Sequence, residues 1–562
     1  MTPRLILVLF TAGALLCAQV AAPDPGRKAV IEGKVLRLSG EPLPKTTVHL
    51  RSVTAAPSGP FTASAPTGYV VTSDSSGSFL FDSIDPGRYV LSAERTGYLQ
   101  QWFGARGPNR PGLSLTAGAD APLKDLVITL TPQGIISGKV ADEDGEPLAF
   151  AGVSVYRMGY QGGQKQLVRA GSAVSAADGS FLAGFLAPGR YYVSASDNRA
   201  TINGGVAERP GNKAEQSGYL TTYYPNVLDP ATAVPIDIGA GTSMSGVEIR
   251  LIRGRLLRIR GRLTGSLPLP GSVVLAPSTQ GLPQPAPVQS DGTFLFQSVS
   301  PGEYTIRSNR GGPRNPGQPP LSFVYARVNV RDQDVEGLDI PLGVGRELAG
   351  TVRLESEQAA GIANVRVALQ MVGGAYDSFG FQNAVARPDG SFGMRGLGPE
   401  KYRVSVSGLP QGVYVKSVRF ENVDVTHDYL DLTSGSGGAL DILLSPKAAG
   451  VSGVVRNEKG DPVPNVPVTL WTPGRPPNGV YEVPRTASTD GSGAFQIFNL
   501  APGEYRVAAW EDVEAGLAQN PDFRARFEST AAKVEVQEST HATADTKLVG
   551  RDAIQAEIDK LP

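Results

Sequence analysis

Short runs in which apolar and polar residues alternate follow one another along most of the chain, separated by clusters of Gly, Pro, Asp and Ser. Residues 31–35 (IEGKV) alternate in this way, whereas residues 40–44 (GEPLP) are typical of a turn. A period of two places successive side chains on opposite faces of a β-strand, and closely spaced turn signals are typical of a β-sandwich. The pattern therefore predicts an all-β chain of short strands.

One arrangement of turns recurs five times, over residues 77–89, 179–191, 292–304, 390–402 and 493–505. In each copy a Gly is followed two positions later by Phe and 12 positions later by Tyr. The Gly predicts a hairpin turn, because it takes positive φ without a Cβ clash, and the Phe begins an inward-facing strand. The Tyr is expected to re-enter the core with its hydroxyl near the backbone, like the tyrosine corner of immunoglobulin-like sandwiches. Glu400 replaces the second turn Gly of the other copies, so we expect the fourth copy to deviate most.

The fixed spacing of this motif indicates an array of one small β module. The predicted repeats span residues 28–133, 134–252, 253–342, 343–447 and 448–549. The fifth repeat is expected to carry a helical insertion, because residues 511–528 are helix-permissive. Residues 550–562 form a predicted C-terminal helix or tail, with Ile554, Ile558 and Leu561 at helical spacing. This piece is expected to cap the last repeat, and the short linkers favour a rod with limited bending.

Composition excludes several classes of function. The 562 residues include 52 basic and 53 acidic side chains without a basic face, which predicts no nucleic-acid partner. The 68 Gly and 45 Pro residues fit a turn-rich β protein, because apolar residues are interspersed throughout. The one cysteine lies near the N-terminus, so the remaining chain is expected to have neither disulfides nor thiol chemistry.

Residues 1–22 are predicted to be a signal peptide for export. Arg4 precedes an apolar run over residues 5–16, which is too short to span a bilayer comfortably, and small residues follow it. The alternative is a lipoprotein signal with Cys17 as the lipidated residue, but Leu16 stands where that motif has a small residue. No later segment is apolar enough for a transmembrane helix. We therefore expect the mature protein in the periplasm, at the outer cell surface or outside the cell.

The sequence carries no recognisable catalytic or metal-binding motif. His49, His427 and His541 fall in different repeats, and the zinc-protease, serine-hydrolase and phosphate-loop motifs do not occur. The Asp residues before the motif glycines are expected to serve their turns, because one carboxylate per turn is too few for calcium. We predict no catalytic residue, no cofactor and no bound metal.

Aromatic insertions after the first two motif copies are the best candidates for ligand binding. Residues 98–103 (YLQQWF) and 219–224 (YLTTYY) have the same aromatic spacing and are expected to be equivalent. The candidate residues are Tyr98, Trp102, Phe103, Tyr219, Tyr223 and Tyr224. Their aromatic rings either cover the sandwich from an edge strand or form a stacking platform for a sugar ring or an apolar partner. Trp102 with Arg106 and Arg110 is the most site-like cluster.

The succession G-K-V, D-G-E-P-L, D-G-S-F and L-A-P-G-R-Y over residues 138–191 resembles the carboxypeptidase regulatory-like domain. The resemblance covers about residues 28–549 in five copies. It implies a transthyretin-like, seven-stranded sandwich, related to collagen-adhesin B-type and starch-binding-like modules. The expected fold is therefore an all-β tandem array of about five transthyretin/immunoglobulin-like sandwiches with short C-terminal helical segments. In carboxypeptidases such a module follows a zinc peptidase domain, which has no counterpart in this sequence.

The resemblance implies a non-catalytic accessory module that is often strung together in secreted bacterial proteins. The first functional hypothesis is a structural or adhesion-like interaction protein at the cell surface or in the periplasm, whose partner is an unknown protein or polysaccharide. The alternative is a carbohydrate-binding protein that uses the aromatic loops of a starch-binding-like fold. A regulator that acts on a separate peptidase is a third, weaker hypothesis.

Overall fold

The computed structural model describes residues 28–561, apart from residues 54–67, 109, 111, 120, 162–163, 198–216, 278–282, 309–321, 356–361, 363, 373–380, 435–436, 475–477 and 481–482. The described residues form successive β-sandwiches with short helices near the C-terminus, which confirms the predicted fold class. We call the five sandwiches modules 1 to 5. The predicted signal peptide lies outside the described residues. None of the helices in the described part of the chain has the length and apolar character needed to cross a membrane.

Module 1 shows the basic plan. Its strands are β1 (Ala29–Arg37), β2 (Thr47–Ser52), β3 (Gly68–Thr72), β4 (Ser78–Ile84), β5 (Gly87–Glu94), β6 (Gln101–Trp102), β7 (Ser114–Ala117) and β8 (Leu123–Leu130). One sheet has the order β4-β1-β8, and the other has the order β3-β2-β5, with β6 and β7 sharing one edge of β5. The first and last strands pair in parallel, and the other pairs are antiparallel. Inward side chains such as Ile31, Leu50 and Leu91 are fully buried between the sheets.

Module 2 repeats this plan with a longer hairpin. Its strands are β9 (Gly134–Ala141), β10 (Ala151–Gln161), β11 (Gln164–Val174), β12 (Ser180–Leu186), β13 (Gly189–Asp197), β14 (Ser217–Tyr219), β15 (Thr222–Tyr223), β16 (Ile236–Ile238) and β17 (Ser243–Arg250), and residues Pro230–Thr232 form a 3-10 turn. The sheets have the orders β12-β9-β17 and β11-β10-β13, with β15 and β16 on the edge of β13. The hairpin strands β10 and β11 have 11 residues each, against 6 and 5 in β2 and β3.

Module 3 is compact. Its strands are β18 (Arg253–Arg255), β19 (Leu257–Thr264), β20 (Ser272–Pro277), β21 (Gln284–Pro287), β22 (Thr293–Val299), β23 (Gly302–Ser308), β24 (Ser322–Phe323), β25 (Tyr325–Val330) and β26 (Val335–Pro341). The sheets β22-β19-β26 and β21-β20-β23-β25 together have seven strands, as expected for this fold. The short strand β18 pairs with β14 of module 2, so a two-stranded ribbon joins the two modules.

Module 4 departs from the plan after the strand that corresponds to β5. Its strands are β27 (Gly343–Val344), β28 (Arg346–Leu354), β29 (Arg366–Met371), β30 (Phe381–Val385), β31 (Ser391–Leu397), β32 (Lys401–Ser407), β33 (Tyr414–Phe420), β34 (Val423–Asp424), β35 (Leu430–Asp431) and β36 (Gly437–Ser445). The sheets have the orders β31-β28-β36-β33-β34 and β30-β29-β32-β35. The strand that follows β32 thus crosses to the opposite sheet. A second ribbon, between β24 and β27, joins modules 3 and 4.

Module 5 carries the helices. Its elements are β37 (Ala449–Arg456), β38 (Pro467–Trp471), β39 (Arg485–Ser488), β40 (Ala494–Leu500), β41 (Gly503–Trp510), α1 (Ala515–Ala518), α2 (Pro521–Ala525), β42 (Ala532–Val536), β43 (His541–Thr543), β44 (Thr546–Val549) and α3 (Arg551–Ile558). Strand β44 pairs with both β41 and β37 and so connects the two sheets. Helix α3 buries Ile554 in an apolar cluster that also contains residues of α1 and α2.

The recurrent motif is built from two turns and a buried tyrosine. Each motif Gly has a φ between 73° and 84°, and the Asp before each turn accepts a hydrogen bond from the backbone N–H two residues later. Each Tyr hydroxyl donates to the carbonyl oxygen four residues earlier, over 2.7 Å for Tyr89, 2.5 Å for Tyr191, 2.9 Å for Tyr304, 3.2 Å for Tyr402 and 2.9 Å for Tyr505. The expected tyrosine corner is confirmed in all five modules.

The fourth copy keeps its tyrosine corner although Glu400 replaces glycine. The Tyr402 hydroxyl there also accepts a hydrogen bond from the N–H of Gly398 over 2.8 Å, and β32 begins one residue later than its counterpart β5. The turn itself therefore changes little. Module 4 does deviate from the repeat, but the larger change is the crossing of β33 to the other sheet.

The expectation of an extended rod is wrong, because module 5 contacts modules 1 and 2 in addition to module 4. The Arg110 guanidinium of module 1 lies 2.9 Å from the carboxylate of Asp512. Arg157 of module 2 lies 3.2 Å from the carboxylate of Glu514. The contact with module 4 includes a hydrogen bond of 2.9 Å from a backbone N–H to the amide oxygen of Asn499. The array thus folds back on its own beginning.

Candidate binding site

The aromatic residues of module 1 lie along an edge of its larger sheet. Trp102 stands on the short edge strand β6, opposite Ser92 of β5. The guanidinium of Arg51, on β2, lies 5.1 Å from the Trp102 ring centroid, which is within cation–π range. Tyr98 and Phe103 pack against the core of the module. These aromatic residues therefore cover the edge of the sandwich, and the Trp102 ring is partly exposed.

In module 2 the residue equivalent to Trp102 is more buried. Tyr223 stands on β15 opposite Ser194 of β13, which matches the position of Trp102 and confirms the predicted equivalence. Tyr223 is 8% exposed and its ring lies 6.4 Å from that of Tyr156. Tyr224 packs against the module core. Module 2 therefore does not present Tyr223 to a ligand as module 1 presents Trp102.

Tyr219 packs against the same module core as Tyr224 and stands in the ribbon that joins modules 2 and 3. The Arg253 guanidinium lies 5.4 Å from the Tyr219 ring centroid. The same guanidinium lies 2.9 Å from the Glu143 carboxylate. This arrangement stabilises the junction of two modules. The six candidate residues thus fall into separate groups, and their binding of a ligand stays a prediction.

Arg106 and Arg110, which the sequence placed beside Trp102, point instead to module 5. Arg106 donates to the carbonyl oxygen of Pro464 over 3.4 Å. Arg110 donates to the carbonyl oxygen of Val513 over 3.0 Å and also pairs with Asp512. Sequence reasoning missed both these partners and Arg51, because only strand pairing and the return of the chain bring them together. Both arginines therefore have partners on module 5, and a ligand site formed by Trp102 with them stays a prediction.

The histidines and the motif carboxylates have local partners. His49 lies 3.0 Å from the Glu94 carboxylate, and His541 lies 2.8 Å from the Ser452 hydroxyl. The Ser180 hydroxyl and N–H donate to Asp178 and hold the pKa of that carboxyl below its usual value. Among the described residues, no group of three or more His, Cys, Asp or Glu is arranged to hold a metal ion.

The buried phenol of Tyr223 predicts a loss of stability at alkaline pH. Burial raises its pKa from about 10 to about 12, with a smaller contribution from Tyr156. Between these values the phenol of the unfolded chain ionises while the folded one stays protonated, so stability falls as pH rises from 10 to 12. Between pH 10 and 12 the free energy of unfolding should fall by roughly 1–3 kcal/mol less in the variant Tyr223→Phe than in the parent. Protection of module 2 against hydrogen exchange is measured for both proteins from pH 9 to 11.5. If protection falls equally with pH in the parent and in Tyr223→Phe, the prediction is wrong.

Two segments of the chain match a known family model. Residues 30–131 and residues 450–549 match the model described as the carboxypeptidase regulatory-like domain. Modules 1 and 5 are carboxypeptidase regulatory-like domains. Modules 2 and 3 have the same motif and parallel pairing of first and last strands as these two regulatory-like domains, and module 4 keeps both features despite its crossed strand. A search of curated proteins gives no significant match.

Comparison with solved structures finds β proteins of Gram-positive bacteria. The TIE protein of Bacillus anthracis is 11% identical over 74% of this chain and 74% of its own, with a TM-score of 0.17. Two B repeat units of the collagen-binding protein of Staphylococcus aureus are 11% identical over 74% of this chain and 99% of theirs, with a TM-score of 0.14. A minor pilin of Streptococcus agalactiae is 12% identical over 43% of this chain and 99% of its own, with a TM-score of 0.21. Scores this low carry no argument about function.

Proposed function

We propose that this chain is an exported, non-catalytic interaction protein of the cell surface or periplasm, which uses its array of regulatory-like domains to hold a partner. The observation that carries the proposal is the use of the recurrent polar groups. In all five modules the motif Asp and Tyr side chains are engaged in hydrogen bonds within their own turns. The repeated residues therefore serve folding, and recognition is left to the surfaces that differ between modules.

Binding to treated cell envelopes tests this proposal and separates protein partners from polysaccharides. Envelope material is immobilised after digestion with protease, after oxidation with periodate, or untreated, and binding of the intact protein is measured. A protein partner predicts that protease abolishes binding and periodate does not. A polysaccharide partner predicts the reverse. Absence of binding to untreated envelopes contradicts the proposal in both forms.

Carbohydrate binding is the second candidate, and one observation favours it. The Trp102 ring is partly exposed at a sheet edge and is held by Arg51 at 5.1 Å, so a flat apolar face with a nearby cation is available. Aromatic faces of this kind pack against apolar ligand surfaces, and the guanidinium can donate to hydroxyl groups. The buried position of Tyr223 argues against a second platform of the same kind in module 2.

If Trp102 is the platform, Trp102→Ala should weaken binding to envelope polysaccharide by about tenfold, which corresponds to ~1.4 kcal/mol. The physical reason is the loss of the aromatic ring that stands beside the Arg51 guanidinium. Binding is measured by biolayer interferometry on protease-treated envelopes. Phe498→Ala is the control, because that ring is 43% exposed in module 5 and lies outside the candidate site. Equal affinity of the parent and Trp102→Ala would exclude this platform.

A further inference from the structure

Two segments that depart from the repeat meet in the structure. The first is the hairpin β10–β11, which we call the arm. Its strands have 11 residues each, whereas the equivalent strands of the other modules have four to six. The second, which we call the insertion, is residues 511–528 with helices α1 and α2. Helix α1 packs against β10. Both departures from the repeat lie at the same contact. This coincidence indicates that the contact is specific.

A glycine of the insertion lets the two backbones approach closely, and a glycine of the arm leaves room for a side chain of the insertion. A Cβ atom at Gly516 of α1 would overlap the carbonyl oxygen of Tyr160 and lie 2.5 Å from its carbonyl carbon. A Cβ atom at Gly159 of the arm would lie 2.9 Å from a carboxylate oxygen of Glu514. Glycine in a helix or strand interior costs stability, and close approach of another backbone is a recognised reason for its presence. Gly516 thus allows α1 to lie directly against the backbone of the arm.

Apolar packing adds to this fit. The Tyr160 side chain packs against the apolar cluster of module 5, which includes Leu517 of α1 and Phe523 of α2. The Tyr160 hydroxyl is buried and has no hydrogen-bond partner among the described residues. The ring of Tyr160 therefore contributes to the contact by apolar burial, and its hydroxyl does not fix the geometry.

Partly exposed ion pairs surround the packed centre. Arg157 of the arm pairs with Glu514, and their side chains are 52% and 29% exposed. Arg110 of module 1 pairs with Asp512, and Arg551 lies 3.3 Å from the same carboxylate. Salt screens pairs as exposed as these, so the attraction they supply weakens as ionic strength rises.

We propose that the arm and the insertion form an intramolecular latch, which holds module 5 on modules 1 and 2 and is released at high ionic strength. The chain reaches module 5 through module 4, so the latch can open without breaking a covalent connection or unfolding a sandwich. Interfaces between modules of one chain resemble transient protein interfaces, which separate unless they are large and apolar. The closed form is compact, and release gives the extended array. This proposal does not depend on the identity of any partner.

Gly516→Ala tests the latch in the full chain, because its effects on the helix and on the contact have opposite signs. Alanine is the better helix former by roughly 1 kcal/mol, so α1 itself should not be weakened. The added Cβ should nevertheless force the arm away, raise the radius of gyration in small-angle scattering, and lower hydrogen-exchange protection of the arm about tenfold or more. Gly491→Ala is the matched control, because a Cβ there meets nothing within 4 Å. If Gly516→Ala has the same radius of gyration and the same hydrogen-exchange protection of the arm as the parent, the proposal is wrong.

Charge reversal gives an independent test on exposed side chains. Arg157→Glu should open the array at low salt (about 0.01 M, where the Debye length is ~30 Å), and the double variant Arg157→Glu, Glu514→Arg should close it again. The parent should expand between this salt and about 1 M, where the Debye length is ~3 Å. An unchanged radius of gyration of the parent across this range would refute release by ionic strength. Failure of the double variant to restore the compact form would refute the role of this pair.

Discussion

Gly33→Ala should lower the free energy of unfolding of module 1 by about 3 kcal/mol or more, enough to unfold or strongly destabilise the module. A Cβ atom at this position on β1 would overlap the carbonyl oxygen of Leu126 on β8 and lie 2.7 Å from the ring of Phe79. Both neighbours are held, the first by the parallel strand pair and the second by burial in the core. Neither can move without breaking the sheet. Hydrogen-exchange mass spectrometry of the full chain should show faster exchange in β1 and β8, with module 3 as the internal reference.

The control for this variant lies in the same module. Gly118→Ala adds the same methyl group to a turn where a Cβ meets nothing within 4 Å, so exchange in module 1 should stay at the parent rate. Equal exchange rates in Gly33→Ala and Gly118→Ala would show that the sheet accommodates the methyl group and that the glycine is not required by packing. The comparison separates close packing from a general effect of replacing glycine.

The same physical reason explains a residue pattern that is visible in the sequence. A glycine interrupts the alternation of the first strand in every module, at Gly33, Gly138, Gly261, Gly350 and Gly453. At each of these positions a Cβ would collide with the last strand of the module, with the ring of the motif Phe, or with both. The sequence shows the interruption, but its cause depends on the parallel return of the last strand, which comes about 100 residues later.

The sequence predicted the features that depend on residues close together in the chain. The motif glycines, the Asp turns and the tyrosine corners follow from contacts within about 12 residues, and all of them appear in the structure. The amphipathic spacing at the C-terminus likewise predicted α3 and the burial of Ile554. These features depend on the backbone preferences of Gly and on periodicity, which the sequence displays directly.

Contacts between modules could not be predicted in this way. Arg110 and Asp512 are about 400 residues apart in sequence, and neither has a neighbour that marks it as an ion-pair partner. The partners of Arg106 and Arg110 on module 5 were missed for the same reason. The helical insertion was recognised as helix-permissive, but its contact with the arm depends on how five modules are oriented, which no periodicity encodes.

Trp510→Ala should lower the free energy of unfolding of module 5 by about 3–5 kcal/mol, which is the largest effect expected in this module. Trp510 is fully buried, its indole N–H donates to the Thr469 hydroxyl over 2.9 Å, and its ring lies 5.3 Å from that of Phe523 and 5.1 Å from that of Phe527. It therefore connects the sandwich to α2 and to the residues that follow this helix, and its removal leaves a cavity in a packed aromatic cluster.

Hydrogen exchange measures this loss locally, since a chain of several modules does not unfold in two states. In Trp510→Ala, exchange should accelerate in β41, α1 and α2 and remain at the parent rate in module 3. Trp510→Phe keeps an aromatic ring but loses the hydrogen bond to Thr469, so it should lose clearly less. If the two variants exchange alike, the hydrogen bond, rather than the packing of the indole against Phe523 and Phe527, holds the insertion on the sandwich.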